Sequence, residues 1–215
     1  MRKILVLPVL LLALGLPAAQ AAVQASPVDE AAAAKERAAL CAKVTCRKAS
    51  RPLSLRMPDK SNFVISTRPL PYFDDKGTLI LFAGESVTLS YATDDERLEH
   101  PVLSSVSDPL GPVELPPPAS KAAIRFDLQQ MEGEAGMMLT VTNTTKTTVK
   151  YDAVMFMPDP AGGGARGGRT TACPVMPPQD RAASFSGFEN WPQPIVMLLI
   201  SNIRALAKDA PSICN

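Results

Sequence analysis

Histidine is almost absent from this chain: among 215 residues, the single histidine is His100. A serine hydrolase needs a base beside its nucleophile, and a zinc site needs several nitrogen or sulfur ligands. A lone histidine before a proline, in an acidic stretch, is more typical of a surface turn than of a general base. The Gly-x-Ser-x-Gly elbow of hydrolases is also missing. We therefore expect a protein that is not an enzyme and that uses no cofactor or metal.

A strong charge of either sign is missing as well. The chain has 22 basic and 21 acidic residues, which gives a formal net charge of +1. Nucleic-acid-binding domains are usually clearly basic, so no nucleic-acid partner is expected.

The first 21 residues have the composition of a signal peptide. Arg2 and Lys3 are followed by an apolar run over 4–16, and Ala19 and Ala21 form a small-x-small cleavage site. The apolar run is shorter than the roughly 20 residues that a membrane span needs. We expect export to the periplasm or beyond the cell, without stable membrane insertion after cleavage.

Four cysteines in an exported protein predict two disulfides, and sequence alone leaves three pairings open. We favour Cys41 with Cys46, because this spacing can close locally at the end of a helix. Cys173 would then pair with Cys214 and tie the end of the chain to a strand. A redox pair is disfavoured because the spacing is not Cys-x-x-Cys.

A helix is predicted before the β-rich part of the chain. Ser26 is a good cap, Pro27 suits the first helical position, and the residues to Leu40 favour a helix strongly. Most of its apolar residues are alanines, so it can bury little surface. We divide the chain into a signal peptide (1–21), a helical segment (22–50) and one β-sandwich domain (51–215).

The clearest strand pattern covers residues 137–157. Leu139 and Val141 alternate with threonines, and after a polar turn the alternation resumes from Val149. This pattern predicts two strands folded back on each other as a hairpin. A hairpin alone is marginal in water, so its apolar face requires a second sheet, as in a β-sandwich.

Further strands are predicted between turn-forming residues, at 53–57, 63–67, 78–83, 87–92, 101–107, 122–129 and 170–175. Residues 177–190 lack a regular pattern. Residues 191–206 form the most apolar segment after the signal peptide, and residues 194–206 within it could be a strand or a helix. Pro194 suits a helix start, whereas β-branched residues such as Ile195 and Val196 favour a strand. We prefer the strand because its surroundings are β.

The glycine-rich residues 158–169 could cradle a phosphate with backbone N–H groups. They lack the Gly-Lys-Ser/Thr element of a phosphate loop, so a mobile connection is predicted. Arg166 and Arg169 could contact an anionic partner. Trp191, the single tryptophan, could line a surface groove or anchor a loop.

Two other functions have some support in the sequence. Adjacent carboxylates could hydrolyse a carbohydrate, and they occur at Asp74, Asp75, Asp94, Asp95 and Glu96. Seven of the nine methionines lie between residues 131 and 197, and clustered thioethers select Cu(I), which would suit a carrier of Cu(I) or of another small ligand. Solvated turns and flexible core filling explain these features more simply.

The alternation over 84–91 and 139–156 resembles an immunoglobulin-like or fibronectin-like sandwich. Residues 139–156 are also similar to the Asn-containing hairpins of periplasmic pilus chaperones, but the paired domains and basic anchoring residues of that family are not found. We therefore expect a mainly β, immunoglobulin- or fibronectin-like sandwich after a short N-terminal helix. As a function we expect non-catalytic binding of a protein partner in the bacterial envelope, since a fold alone gives no activity.

Overall fold

A computed structural model describes residues 27–92, 98–109, 111–112, 115, 122–177, 187–207 and 213–214. The predicted signal peptide lies outside these residues. Within them the chain forms one helix and twelve strands. They are α1 (Pro27–Cys41), β1 (Pro52–Arg56), β2 (Asn62–Ser66), β3 (Leu79–Phe82), β4 (Glu85–Ser90), β5 (Val102–Asp108), β6 (Gly111–Pro112), β7 (Ala123–Gln130), β8 (Met137–Asn143), β9 (Val149–Asp159), β10 (Gly164–Thr170), β11 (Gly187–Trp191) and β12 (Met197–Ala205).

The strands form three antiparallel sheets. A two-stranded sheet pairs β1 with β2, a four-stranded sheet has the order β10-β9-β12-β3, and a six-stranded sheet has the order β11-β8-β7-β4-β5-β6. The mainly β fold and the preceding helix are therefore confirmed.

One apolar core is built from the alternating residues of both larger sheets. Leu81 and Leu198 of the four-stranded sheet and Leu139 of the six-stranded sheet have no exposed surface. Between the sheets, the rings of Phe126 and Tyr151 meet edge to face with their centroids 5.4 Å apart. Successive strand residues point to opposite faces, so every second residue enters this core.

The predicted hairpin over 137–157 is wrong, although both of its strands exist. β8 pairs with β7 and β11, whereas β9 pairs with β10 and β12 in the other sheet. The side-chain amide of Asn143 donates to the carbonyls of Thr147 and Val175 and holds the connection as it passes between the sheets. Alternation indicates a strand and its buried face, but it does not identify the neighbouring strand.

The prediction of a mobile connection over 158–169 is also wrong. These residues complete β9, turn, and return as β10, which pairs with β9 from Gly164 opposite Asp159 to Thr170 opposite Ala153. Gly167 lies opposite Phe156, and a Cβ atom on this glycine would be 3.4 Å from the aromatic ring. The neighbouring strand thus supplies apolar cover that the glycines themselves lack.

Two predictions near the end of the chain need correction. The strand expected over 170–175 is limited after Thr170 to a single bridge, from Val175 to Val149, because Pro174 cannot donate to a ladder. The irregular stretch at 177–190 ends in the first four residues of β11, which pairs with β8 along all of its five residues. The strand interpretation of residues 194–206 is confirmed by β12, which lies between β9 and β3.

The disulfides join Cys41 to Cys46 and Cys173 to Cys214, the pairing favoured from the sequence. The first closes at the last residue of α1, and the second connects the end of the described chain to the segment after β10. Helix α1 itself is largely exposed from Ala31 to Ala39, as its alanine-rich composition predicts.

A buried ion pair joins both larger sheets to the segment after the first disulfide. All five guanidinium N–H groups of Arg47 have acceptors: Nε and Nη2 donate to the Glu85 carboxylate at 2.7 and 2.5 Å, and the others reach backbone carbonyls. The guanidinium lies between two aromatic rings, 4.3 Å from the centroid of Tyr72 and 4.7 Å from that of Phe82. Glu85 also accepts a bond from the backbone N–H of Phe82.

A second pair of opposite charges lies beside the first. Arg51 approaches Glu85 at 3.5 Å and Asp108 at 3.9 Å, and the Tyr72 hydroxyl donates to Asp108 at 2.5 Å. All these side chains are at least nine-tenths buried, and two cations balance two anions. Burial, more than the hydrogen bond to Asp108, raises the pKa of Tyr72 above its usual range. We name these five residues (Arg47, Arg51, Tyr72, Glu85 and Asp108) the buried charge network.

We expect Arg47→Met to lower the free energy of unfolding by about 3–5 kcal/mol, because the buried Glu85 carboxylate would lose its two hydrogen bonds to Arg47 and keep only the longer contact to Arg51 and the backbone N–H of Phe82. Urea denaturation measures this loss. The control is Arg125→Ala, which removes an ion pair to Asp127 whose arginine side chain is 51 % exposed. The free energy of unfolding of that variant should fall by less than about 1 kcal/mol. Equal losses in the two variants would contradict the role assigned to the network.

Candidate partner-binding edge

Strand β10 forms one edge of the four-stranded sheet, and half of its backbone groups face outward. The N–H of Val196 donates to the carbonyl of Phe156, which therefore bonds on the β12 side of β9. Gly167 of β10 lies directly opposite Phe156. Two opposite residues of an antiparallel pair exchange either both backbone bonds or neither, and Phe156 bonds on its other side. Gly167 therefore directs its own N–H and C=O away from β9. The same holds for Ala165 and Arg169, two residues away on either side.

The three residues predicted to contact a partner lie around this edge. Arg166 and Arg169 are exposed on β10 and emerge on opposite faces of the sheet. Trp191 ends β11, and its indole N–H donates to the Thr170 hydroxyl at 3.0 Å. Tryptophan is half-buried and packs against the core, so it joins the edges of the two sheets. The fold brings together side chains that are up to 25 positions apart in sequence (191 − 166).

A half-buried carboxyl group lies beneath this edge. Glu189 of β11 accepts bonds from the Tyr151 hydroxyl at 2.9 Å and from the backbone N–H of Cys173 at 3.0 Å. Burial raises the pKa of Glu189, against the effect of both hydrogen bonds. Burial also raises the pKa of Tyr151 far above its usual range. Glu189 was not predicted, because its partners come from distant parts of the chain.

Lys150 is a buried cation that the sequence analysis also missed. Its ammonium group donates to the carbonyl of Ala172 and, at 2.9 Å, to that of Ile213. These carbonyls precede Cys173 and Cys214, so the lysine and the disulfide hold the same two segments together. Burial lowers the pKa of Lys150. The place of this lysine between Val149 and Tyr151, two residues of the core, was the available signal for such a buried contact.

The acidic turn and the histidine border a surface cavity of about 500 Å³, which Asp74, Asp75 and His100 line together with apolar residues. Asp74 is committed to its own turn, since its carboxylate accepts the backbone N–H groups of Lys76 and Thr78. His100 is exposed. The other predicted acidic group, at 94–96, lies outside the described residues.

The methionines occupy different surroundings. Met137 is fully buried in the core, Met138 and Met176 are exposed, and Met155 and Met157 place their methyl groups near Gly168. Among the described residues, no group of three or more His, Cys, Asp or Glu side chains could hold a metal ion.

The described part of the chain contains no helix with the length and apolarity needed to cross a membrane. The two disulfides are consistent with an extracellular or other oxidising compartment.

Glu189→Gln tests the buried carboxyl group, because glutamine can accept the same two bonds at any pH. A raised pKa favours the protonated acid in the folded state, so its stabilisation is present at low pH and is lost as pH rises above the ordinary value of 4.5. Wild type should therefore lose stability relative to Glu189→Gln over this range. Urea unfolding at a series of pH values measures the difference. The exposed control Glu134→Gln should show no such trend, and a constant difference for Glu189→Gln would contradict the assignment.

Comparison with known proteins identifies no relative of this chain. No family model, no curated protein and no solved structure matches the chain.

Proposed function

We propose that the chain is an exported, non-catalytic module of immunoglobulin- or fibronectin-like type that binds a protein partner in the bacterial envelope. The observation that supports this most directly is the β10 edge, where outward backbone groups lie between Arg166 and Arg169. The partner adds an extended segment to this edge. Backbone hydrogen bonds then supply affinity, and side chains beside the arginines supply selectivity.

The glycines of β10 favour close approach of another backbone. Gly164, Gly167 and Gly168 have no side chains to hold a second strand away, and glycine within a strand often marks such an approach. The turn before β10 joins it to the longer β9, so the edge is held in an extended shape before a partner arrives. A preformed edge lowers the entropy lost on binding.

The positive charges of β10 favour pairing with an acidic segment of a partner over pairing with β10 of a second copy. If β10 paired with itself antiparallel, with Gly167 opposite Gly167, the seam would carry four arginines. The two Arg166 side chains would be diagonal neighbours on one face, about 7–8 Å apart. Like charges at this spacing repel, whereas carboxylates of a partner strand would pair with Arg166 and Arg169.

The alternative functions have less support. A carbohydrate hydrolase needs two carboxylates facing one cleft, and Asp74 is already held by its turn. A Cu(I) carrier needs converging thioethers, and the methionines are divided between the core and the surface.

A photoreactive phenylalanine analogue at Ala165 tests the proposal in cells. Because Ala165 is exposed at the outward edge, we expect it to cross-link reproducibly to one envelope protein, within an extended acidic segment. Arg166→Glu with Arg169→Glu should reduce the yield about tenfold, since two ion pairs become repulsive. Gly167→Pro should also reduce it, because proline removes an outward N–H that β9 does not use.

The matched control, Lys48→Glu with Arg68→Glu, makes the same charge change at two exposed residues that belong neither to β10 nor to its neighbouring strands. It should leave the yield unchanged. Cross-linking that survives both β10 variants, or that the control abolishes equally, would rule out recognition at this edge.

A further inference from the structure

The centre of β10 has the sequence Arg-Gly-Gly-Arg, from Arg166 to Arg169. Successive residues of a strand point to opposite faces of its sheet. Arg169 and Gly167 therefore share the outer face, away from the core, and Arg166 and Gly168 share the inner face. A segment that pairs with β10 meets one arginine and one glycine on each of its own faces.

On the outer face, the ring of Phe156 reaches over a glycine towards the edge of the sheet. Phe156 lies opposite Gly167, and a Cβ atom on this glycine would be 3.4 Å from the Cε1 atom of the ring. Phe156 is partly exposed. Side chains directly opposite each other on neighbouring strands have Cβ atoms about 4.5–5.5 Å apart. The first partner side chain beyond Gly167 would therefore contact an aromatic ring.

The inner face repeats this arrangement with methionines. A Cβ atom on Gly168 would lie 3.4 Å from the terminal methyl group of Met157 and 4.0 Å from that of Met155. Both methionines belong to β9, and Met155 is directly opposite Gly168. Thioether side chains are flexible and make favourable contacts with apolar and aromatic groups. The partner side chain beyond Gly168 would therefore also meet an apolar surface, on the other face of its strand.

Both arginines are available to a partner. Arg166 and Arg169 are exposed, and neither forms a salt bridge or a side-chain hydrogen bond with the residues that the structure describes. The Asp152 carboxylate on the outer face is already bonded to Asn202 and Arg204. Opposite charges on neighbouring strands attract, and a guanidinium group binds carboxylates especially well. Each arginine therefore favours an acidic residue beside it on the partner segment.

We infer that the partner segment carries an acid–apolar–apolar–acid sequence that pairs with residues 166–169 one by one. The acids lie beside the two arginines, and the apolar side chains lie over the two glycines, one against Phe156 and the other against Met157. Backbone bonds hold such a segment, and its alternate side chains give selectivity. This inference rests on the proposed binding at the β10 edge and specifies what binds there.

The same pattern determines the register of the partner. A shift by one residue would place an acid over a glycine and an apolar side chain beside an arginine, and it would move every side chain to the other face. The Arg-Gly-Gly-Arg sequence is the same in both directions. The complementary sequence is therefore the same for a parallel and for an antiparallel partner.

Two synthetic peptides of identical composition test the order of these residues. One has Glu-Phe-Val-Glu between flanking threonines, and the other has Phe-Glu-Glu-Val. Each is titrated with the mature protein, up to about 1 mM, and followed by fluorescence anisotropy. The first peptide should bind at least tenfold more tightly, because it alone places acids beside both arginines and apolar groups over both glycines. Replacing its phenylalanine or its valine by serine should weaken binding about fivefold.

Variants of β9 assign the two apolar contacts. Phe156→Ala should remove the preference for an apolar residue at one central position of the peptide, and Met157→Ala should remove it at the other. Leu199→Ala is the matched control, since it shortens an apolar side chain on the same outer face but on β12, one strand farther from the edge. It should leave both preferences unchanged. Circular dichroism checks folding, and the comparison of the two peptides on wild type needs no variant.

The outcomes separate this inference from the proposed function. Equal affinity for the two peptides, lowered alike by Arg166→Glu with Arg169→Glu, would overturn the inference and leave recognition of an acidic segment at β10 intact. A preference for the first peptide that survives both Phe156→Ala and Met157→Ala would also overturn the inference. Binding of neither peptide, or binding that the arginine changes do not lower, would overturn the inference and the proposed edge together.

Discussion

The pairing of Arg47 with Glu85 is the constraint on which the arrangement of the two larger sheets depends. Arg47 reaches a carbonyl of β3 in the four-stranded sheet and the carboxylate that begins β4 in the six-stranded sheet. The chain crosses between the sheets at this point. A charged pair without water is stable only when its remaining donors and acceptors are also satisfied, and here backbone carbonyls complete the guanidinium. Its stacking on Tyr72 and Phe82 adds the cation–π attraction that desolvation strengthens.

Local pattern was enough to find most strands, but not to find their neighbours. The alternation over 122–129 corresponds closely to β7 (Ala123–Gln130), because each residue there has one clear face. The same kind of pattern at 137–157 suggested a hairpin, since two strands and a polar turn look alike whether or not they pair. The amide contacts of Asn143 decide that question, and one of them is with a carbonyl 32 positions away. The glycines of β10 predicted a mobile connection, which was wrong for another reason. Their strand is stabilised by Phe156 and its neighbours on β9, so it does not depend on side chains of its own.

The residue types of the candidate site could be predicted from the sequence, but their convergence in the fold could not. Arginines and a lone tryptophan stand out in any sequence, yet their convergence depends on β10 and β11 ending together beside Thr170. Glu189 had almost no signal in the sequence, and Lys150 had only its place between two apolar residues, since their partners are mostly backbone groups that a sequence pattern does not reveal.

The order of strands in the four-stranded sheet also determines when that sheet can form. β12 lies between β3 and β9, yet it is the last of the described strands, more than a hundred residues after β3 (197 − 82 = 115). The apolar strand β3 therefore lacks its partner β12 until these residues have been made, and the sheet cannot be built progressively from the N-terminus. Contacts between such distant segments slow folding, because a long loop must close before the contact stabilises anything. During synthesis β3 can therefore bond only to the nearby segment around Tyr72, and its other edge stays open to aggregation. A chain shortened before residue 197 would be unable to complete this sheet.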